Sequence, residues 1–467
     1  MSFGQRLKLA EGAQNDHGLA FLVFRRSVHL VAEPSRRFND RPGDERAAAD
    51  EPPPPLVRPP GEGEPPSAPS PRTLRGLDWF IFFVADVQTG FGPFVAVYLT
   101  TQKWTQGDIG LVLSAAGFVS LIAQMPGGAL VDAAKSERLV AGIAVAVICL
   151  SALAYAVYPI FPVVLSAAVG HAAASCVLGP AIAAISLGLV GHGAISDRLG
   201  RNARFASAGN ALAAGAMGAC GSLLSARAVF IVTVLLLVPA LLALRMISAG
   251  EIDPERAHGN APRRPPKPPI RPGALMQNRP LLIFAGCILL FHLANSAMLP
   301  LMAGVLTMRS SGWAPLLIAA CIVAPQFIVA AVSPWIGTRA RLWGRRPLLL
   351  IGFAALPIRG LLFATVTNPS LIVVVQVLDG VTAAVFAVMV PLIIADLTRG
   401  TGHFNLGQGI IGTSTGLGAS LSASLAGHVS DHFGSPAAFA GLAVIAFIGL
   451  LAVWLLMPET RDAPEPQ

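Results

Sequence analysis

The sequence predicts an all-α integral membrane protein in which twelve crossing helices form two bundles of six. Three observations carry this. Of 467 residues, 54% are hydrophobic and 12% charged, with a mean hydropathy of +0.65, whereas a soluble domain carries roughly a quarter charged residues. Apolar runs long enough to cross ~30 Å of hydrocarbon as helices recur along the chain. A polar, proline-rich connector, "AGEIDPERAHGNAPRRPPKPPIRPGALMQNRP", divides them six and six.

The runs lie near 79–100, 108–131, 139–157, 163–190, 206–224 and 228–248 before the connector, and 281–305, 314–337, 348–366, 371–395, 405–426 and 437–457 after it. We refer to them as spans 1 to 12. The expected organisation is a tail at 1–74, a first bundle at 75–248, a linker at 249–280, a second bundle at 281–457 and a short tail at 458–467. Within the first tail, "EPPPPLVRPPGEGEPPSAPSPR" is proline-rich and polar, the composition of a disordered or polyproline-II segment. The early apolar stretch "LAFLVF" is too short for the core of a signal peptide. The tail reads either as a dispensable cytoplasmic extension or as sequence upstream of the true start.

Composition also narrows the function. The net charge of +8 comes from loops and the tail rather than one face, so it signals topology and no nucleic-acid partner is expected. All five cysteines, Cys149, Cys176, Cys220, Cys287 and Cys321, fall inside apolar runs without a CxxC pair. Neither a disulfide framework nor a zinc site is indicated, and no cofactor is expected. There is no GxxxxGK[ST] phosphate loop and no HExxH or GxSxG stretch, so the sequence offers no signature of an ATPase or a hydrolase, and we expect no enzyme.

Lysine and arginine orient the helices. The loops after spans 2, 4, 6, 8 and 10 carry 16 of them, and the opposite set carries 3. The positive-inside rule then places both termini and the linker in the cytoplasm of a cell with this protein in its inner membrane. The halves also repeat in order. "GGALVDAAKSERLV" follows span 2 and "IGTRARLWGRRPLL" follows span 8. "DRLGRNARF" precedes span 5 and "DLTRGTGHF" precedes span 11, while "SARAVF" and "SPAAF" open spans 6 and 12. A duplicated six-helix unit is the economical reading.

Twelve spans, a hinge loop and a Gly-x-x-x-Asp turn after span 2 resemble the major facilitator superfamily, over roughly residues 75 to 461. The family's loop motif runs approximately G-x-x-x-D-R/K-x-G-R-R/K. Gly128 and Asp132 match it, with Lys135 where the second glycine belongs and Arg138 near the basic end. In the second half Gly337, Gly344, Arg345 and Arg346 match, with Arg341 at the acidic position. "MPETR" resembles an ending found after span 12 in many members. The physical sense of the motif is a close helix approach at glycine, an aspartate facing a helix N-terminus, and arginines holding the cytoplasmic ends. We expect a cytoplasmic gate there; an ordinary positive loop with a capping aspartate is the simpler alternative. The family's antiporter signature on span 5 is absent, since "AGNALAAGAMGACG" contains no proline.

Ionisable groups inside the spans are the candidate solute and proton pathway. Counting 1.5 Å per residue puts Asp86 ~12 Å from the cytoplasmic side, and His292 and Arg359 ~16–18 Å. From the outer side His171 and Asp379 lie ~12–14 Å deep. In the superfamily spans 1, 4, 7 and 10 line the central cavity, which would hydrate Asp86, His171, His292 and Asp379. Arg359 and Asp379 reach one depth from opposite directions and can pair. Gln376, three residues before Asp379, shares its helix face. The arrangement resembles lactose permease, with Gln376 where that protein has a histidine; it serves proton handling or simply docks two helices. Asp86, in "DWFIFFVADVQTGFGPFVAVYLT", reads as an ion or substrate site. His171 reads as a pathway residue or as a histidine bonded to a backbone carbonyl. His292, with Asn295, Ser296 and Pro300 nearby, resembles a binding wall. Gln88, Gln124 and Asn210 are candidate contacts or interhelical hydrogen bonds.

The resemblance implies a secondary active transporter that moves a small solute by alternating access, coupled to protons and working as a monomer in the lipid bilayer. A transport-dead receptor of the same fold is the rival from another class. A metal exporter using Asp86 and His292 lacks a clustered ligand motif. The substrate and the direction of transport stay open.

Overall fold

A computed structural model describes residues 68–89, 92–260, 272–309 and 314–461. The expected disorder of the N-terminal tail concerns residues outside this set, apart from its last few, which are ordered. The described residues are helical, with no strand among them. The first half contains α1 (Pro71–Thr89), α2 (Gly92–Thr101), α3 (Gln106–Asp132), α4 (Glu137–Val157), α5 (Phe161–Leu223), α6 (Ala226–Leu235) and α7 (Leu237–Met246). Two short helices, α8 (Pro254–Ala257) and α9 (Pro272–Leu275), belong to the linker. The second half contains α10 (Arg279–Asn295), α11 (Met298–Arg309), α12 (Ala314–Trp343), α13 (Arg346–Thr365), α14 (Pro369–Leu397), α15 (Phe404–Phe433) and α16 (Ser435–Leu456).

Helix starts follow the local chemistry. Thr105, Ser136, Ser225 and Asn278 cap α3, α4, α6 and α10 by accepting the N–H three residues on, which satisfies donors that the first turn leaves free. The run of α5 is 63 residues, about three times the length needed for one crossing. It holds two spans, broken at Gly191, whose φ of 64° and ψ of 177° only glycine adopts readily. Span 7 divides into α10 and α11 because Pro300 has no N–H to offer the Ser296 carbonyl. At that break the Ala297 N–H donates instead to Ser422 Oγ, 3.0 Å away on α15.

Nine helices among the described residues are long and apolar enough to cross a membrane. One of these is the double-length α5. Span 1 is divided between α1 and α2, and α15 is rich in glycine, serine and threonine, so neither is counted in the nine. With these the twelve expected spans are present. Several run longer than their apolar stretch, α12 to Trp343 and α15 to Phe433, because polar residues continue each helix beyond the hydrocarbon.

The helices pack as two bundles of six. The buried apolar side chains form one cluster within the first half and another centred on the second, which also takes in Leu187, Ile195 and Leu199 of α5. The halves meet mainly through α3 with α15, α5 with α12, and α5 with α14. These contacts concentrate at the end that carries the linker, here termed the linker end.

Candidate functional site

A cavity opens between the halves. One lobe of about 440 Å³ is lined by Phe291, His292 and Asn295 of α10, Asp379, Thr382 and Phe386 of α14, and Thr415 of α15. A second lobe of about 420 Å³ shares Val390, Pro391 and Thr415 and extends toward the linker end, where Gln124, Ser175, Asn202 and Gln408 line it. Among the described residues, Asp379 is the sole charged one lining either lobe.

Arg359 on α13 is 2% exposed. Its Nη1 donates to Asp379 and its Nη2 to Asn295, and Nη2 also lies 3.4 Å from Met298 Sδ. Gln376 Nε2 donates to Asp379 Oδ2 at 3.3 Å. The guanidinium stands over the Phe363 ring at 6.0 Å from its centroid. An ion pair away from water is stable only when hydrogen bonds occupy its remaining groups, and here α10 and α14 supply them for Nη2 and for Asp379 Oδ2. Asp379, at 28% side-chain exposure, brings this pair to the cavity surface. Arg359 Nε and Gln376 Oε1 are buried without a partner among the described residues.

His292 shares that wall, its ring edge-on to Phe291 and Phe386 at 5.3 and 6.4 Å. His171 and Gln88 lie across the first half. His171 Nε2 is 3.3 Å from the Gln88 carbonyl oxygen, and Gln88 Nε2 donates to the Ser175 carbonyl at 3.4 Å. These bonds tie α1 to α5. The backbone of Asp86 belongs to α1; its side chain lies outside the described set. Asn295, Arg359, Gln376 and Asp379 thus form one connected group, His292 adjoins it, and Gln88 with His171 form another.

The loop-motif residues meet the opposite half. Asp132, at the end of α3, accepts the backbone N–H of Asn405 at 3.1 Å and of Leu406 at 2.7 Å, and Asn405 Nδ2 at 2.8 Å. Gly128 lies one turn earlier, against the Asn405 carbonyl, where any Cβ would overlap it. The second half repeats this geometry with other chemistry. Gly337 of α12 lies against Ser196 of α5, and Arg341 pairs with Asp197 at 2.8 Å. The difference has a cause. Asn405 and Leu406 sit in the first turn of α15, where N–H groups are free, whereas Asp197 lies inside a helix and offers only its carboxylate.

Gly344, Arg345 and Arg346 work within the second half. Glu459 accepts the Arg345 and Arg346 N–H groups at 2.8 and 3.1 Å, capping α13. Gly344 has a φ of 86° and no room for a Cβ beside that carboxylate. The Arg345 guanidinium donates to Asp396 at 2.7 Å, and Arg346 Nη2 to the Trp454 carbonyl. Among the described residues Arg138 joins none of these groups, and its Nε is buried without a partner there.

Sequence reasoning missed one buried network. Asp78, 1% exposed, accepts Arg198 Nη2 at 2.5 Å and Arg201 Nη2 at 2.6 Å. Arg198 Nε continues to Asn202, and Asn202 to Ser186 Oγ. The signal was present: Asp78 heads the run containing Asp86, and both arginines lie in "DRLGRNARF". They count as loop charges by position, yet the helix carries them inward.

Two bundles of six, a polar pair at mid-span and matched contacts at one end define a membrane transporter fold, and comparison with known proteins agrees. The sequence profile of the Major Facilitator Superfamily matches residues 78–338 and again 284–467; the chain belongs to this superfamily. An uncharacterized MFS-type transporter of Mycobacterium tuberculosis, found in strains CDC 1551 and H37Rv, is 40% identical over 399 residues, covering 84% of this chain and 95% of the relative. Among solved structures, FucP in the outward conformation superposes with a TM-score of 0.66 at 14% identity, covering 83% of this chain and 98% of that one. The human organic anion transporter MFSD10 (TETRAN) gives 0.59 at 15% identity, covering 82% and 100%. At these identities the structural likeness carries the fold alone.

Proposed function

We propose that this superfamily transporter is a secondary active carrier that moves a small solute by alternating access, with proton coupling at the Arg359–Asp379 group and at Asp86. The observation that supports coupling most is the position of Asp379. Its carboxylate is held by Arg359 and Gln376 yet reaches the cavity, in a wall otherwise built from apolar and neutral polar side chains. A proton or a solute arriving there competes with Arg359 for the carboxylate, and so changes how tightly α13 and α14 are joined.

The linker end is the cytoplasmic end in this reading, as the arginine-rich loops suggest. The inter-half contacts of Asp132, Gly128, Gly337 and Arg341 then close the cytoplasmic side, the outward-facing half of the cycle. The protein works as a monomer in the inner membrane. A metal exporter has less support, since among the described residues no three His, Cys, Asp or Glu side chains gather as a metal site. Uptake into proteoliposomes, screened over a solute panel with and without an imposed pH gradient, tests the proposal. Transport unaffected by the gradient for every transported solute would remove proton coupling, and no transport of any solute would favour a receptor.

A further inference from the structure

Residues 251–260 of the linker carry chemistry that neither the cavity nor the loop motifs use. On one side the segment grips the first half: the Asp253 N–H donates to the Gly188 carbonyl at 3.2 Å, and Ile252 and Ala257 are buried against α5. On the other side three successive carbonyls hold the second half. Ala257 O accepts Asn405 Nδ2 at 3.4 Å, His258 O accepts the Phe404 N–H at 3.2 Å, and Gly259 O accepts the Gly400 N–H at 2.6 Å. One ten-residue segment is therefore bonded to both bundles at the linker end.

At its centre His258 Nε2 stands 3.2 Å from Glu137 Oε1 at the start of α4, with side-chain exposures of 17% and 5%. Neither atom makes an aligned hydrogen bond to any group among the described residues, the other included, so the contact is an ion pair that exists only when His258 is protonated. Separating the charged pair leaves a buried carboxylate and a largely buried imidazolium without a counter-charge. The surroundings favour the imidazolium. Asp132 at the end of α3 and Glu255 within the segment face His258 alongside Glu137. The nearby cations are engaged elsewhere: Arg256 pairs with Asp253 at 3.1 Å, and Arg256 and Arg399 face His192 of α5. On the second-half side, Arg399 and His403 flank the Gly400 and Phe404 N–H groups that the segment holds.

We propose that residues 251–260 are a proton-responsive latch, in which the His258–Glu137 pair binds a proton from the linker side and thereby holds the two halves together at that end. The inference rests on the alternating-access reading. Glu137 raises the pKa of His258 above its ordinary 6.5, against the opposing effect of burial. The sign follows: the pair's contribution is fully present below about 6.5 and is lost as pH rises through the raised value. Acid on the linker side keeps that side shut; alkali releases it.

The test places spin labels at exposed Lys135 and Arg399 of the full chain, with native cysteines replaced, in lipid nanodiscs, and reads their separation by pulsed electron resonance from pH 5.5 to 9. In the wild type the long-distance population should grow as pH rises, the closed-to-open ratio falling roughly tenfold for each unit by which latching raises the His258 pKa. His258→Gln should give one distribution at every pH. His258→Lys, which keeps the charge, should stay closed to pH 9. A wild-type protein that never opens at this end would overturn both the latch and alternating access. A pH response that persists in His258→Gln and His258→Lys would overturn the latch alone.

Discussion

Asp132 caps a helix 273 residues away in the chain: its two carboxylate oxygens accept the Asn405 and Leu406 N–H groups that open α15. A carboxylate at a helix N-terminus gains from both the free donors and the helix dipole. Asp132→Ala should weaken closure at the linker end by about 1–2 kcal/mol, the range of a lost charged cap. Arg341→Ala should do less, because Arg341 and Asp197 are exposed by 49% and 38% and screened by water. The distance measurement between Lys135 and Arg399 reads both variants. Equal effects would mean that the cap is worth no more than a surface pair.

Asp78 is the counter-charge of two arginines, one of them buried. Asp78→Asn leaves Arg198, at 5% exposure, without its anion, a change that costs about 3–5 kcal/mol where a buried pair is broken on one side. The variant should lose most of its yield of folded protein in fluorescence-detected gel filtration. Arg201→Gln, which removes the exposed partner, should keep nearly all of it. The reverse order would show that Arg201 is the principal partner.

Depth was readable from the sequence and partnership only partly so. Arg359 and Asp379 could be matched because both sit in long apolar runs, where counting residues gives height. Asn295 joins them because the chain breaks after α10 and turns that side chain toward Arg359, which no periodicity encodes. Asp132 was expected to face a helix N-terminus, but which helix depends on how the bundles dock. The linker was the least legible part. Its polar, proline-rich composition signals a connector, and its order around His258 comes from contacts with Gly188, Glu137 and Phe404, all distant in sequence.

Arg359 and Asp379 should be energetically coupled. Arg359→Gln and Asp379→Asn each leave a partner uncompensated at low exposure and should each reduce the folded yield. The double variant should recover assembly but not transport. Yields that merely add would mean that the pair contributes nothing to folding.

Truncation probes the first turn of α1. Ser70 N and Oγ donate to Glu251 at 2.7 and 2.9 Å, and Thr73 Oγ1 accepts the Ser248 N–H at 3.1 Å. A chain starting at Ser67 should insert and transport normally, while one starting at Leu74 should be less stable by about 1 kcal/mol. The Ser70 backbone bond holds the Glu251 pKa below its ordinary value. Stability from this contact is therefore present above about pH 4.5 and lost as pH falls through the lowered value. Thermal melts of the two truncations should differ at pH 7, and the difference should shrink as pH is lowered below about 4.5 toward and through the depressed value.

Asp86 gives the sharpest test of coupling. It lies on α1 three residues before Thr89, within a span whose other side chains are almost all apolar. A carboxylate at that depth is costly unless it serves an ion or solute. Asp86→Asn mimics the protonated side chain. It should leave the protein folded and able to bind solute, yet abolish accumulation driven by a pH gradient. Exchange of solute across the membrane should survive, because that half of the cycle need not release the proton. The two assays on one proteoliposome preparation separate the outcomes. Loss of accumulation with exchange retained assigns the coupling proton to Asp86. Full pH-driven accumulation in Asp86→Asn would move the coupling site to Asp379, or replace the proton by sodium.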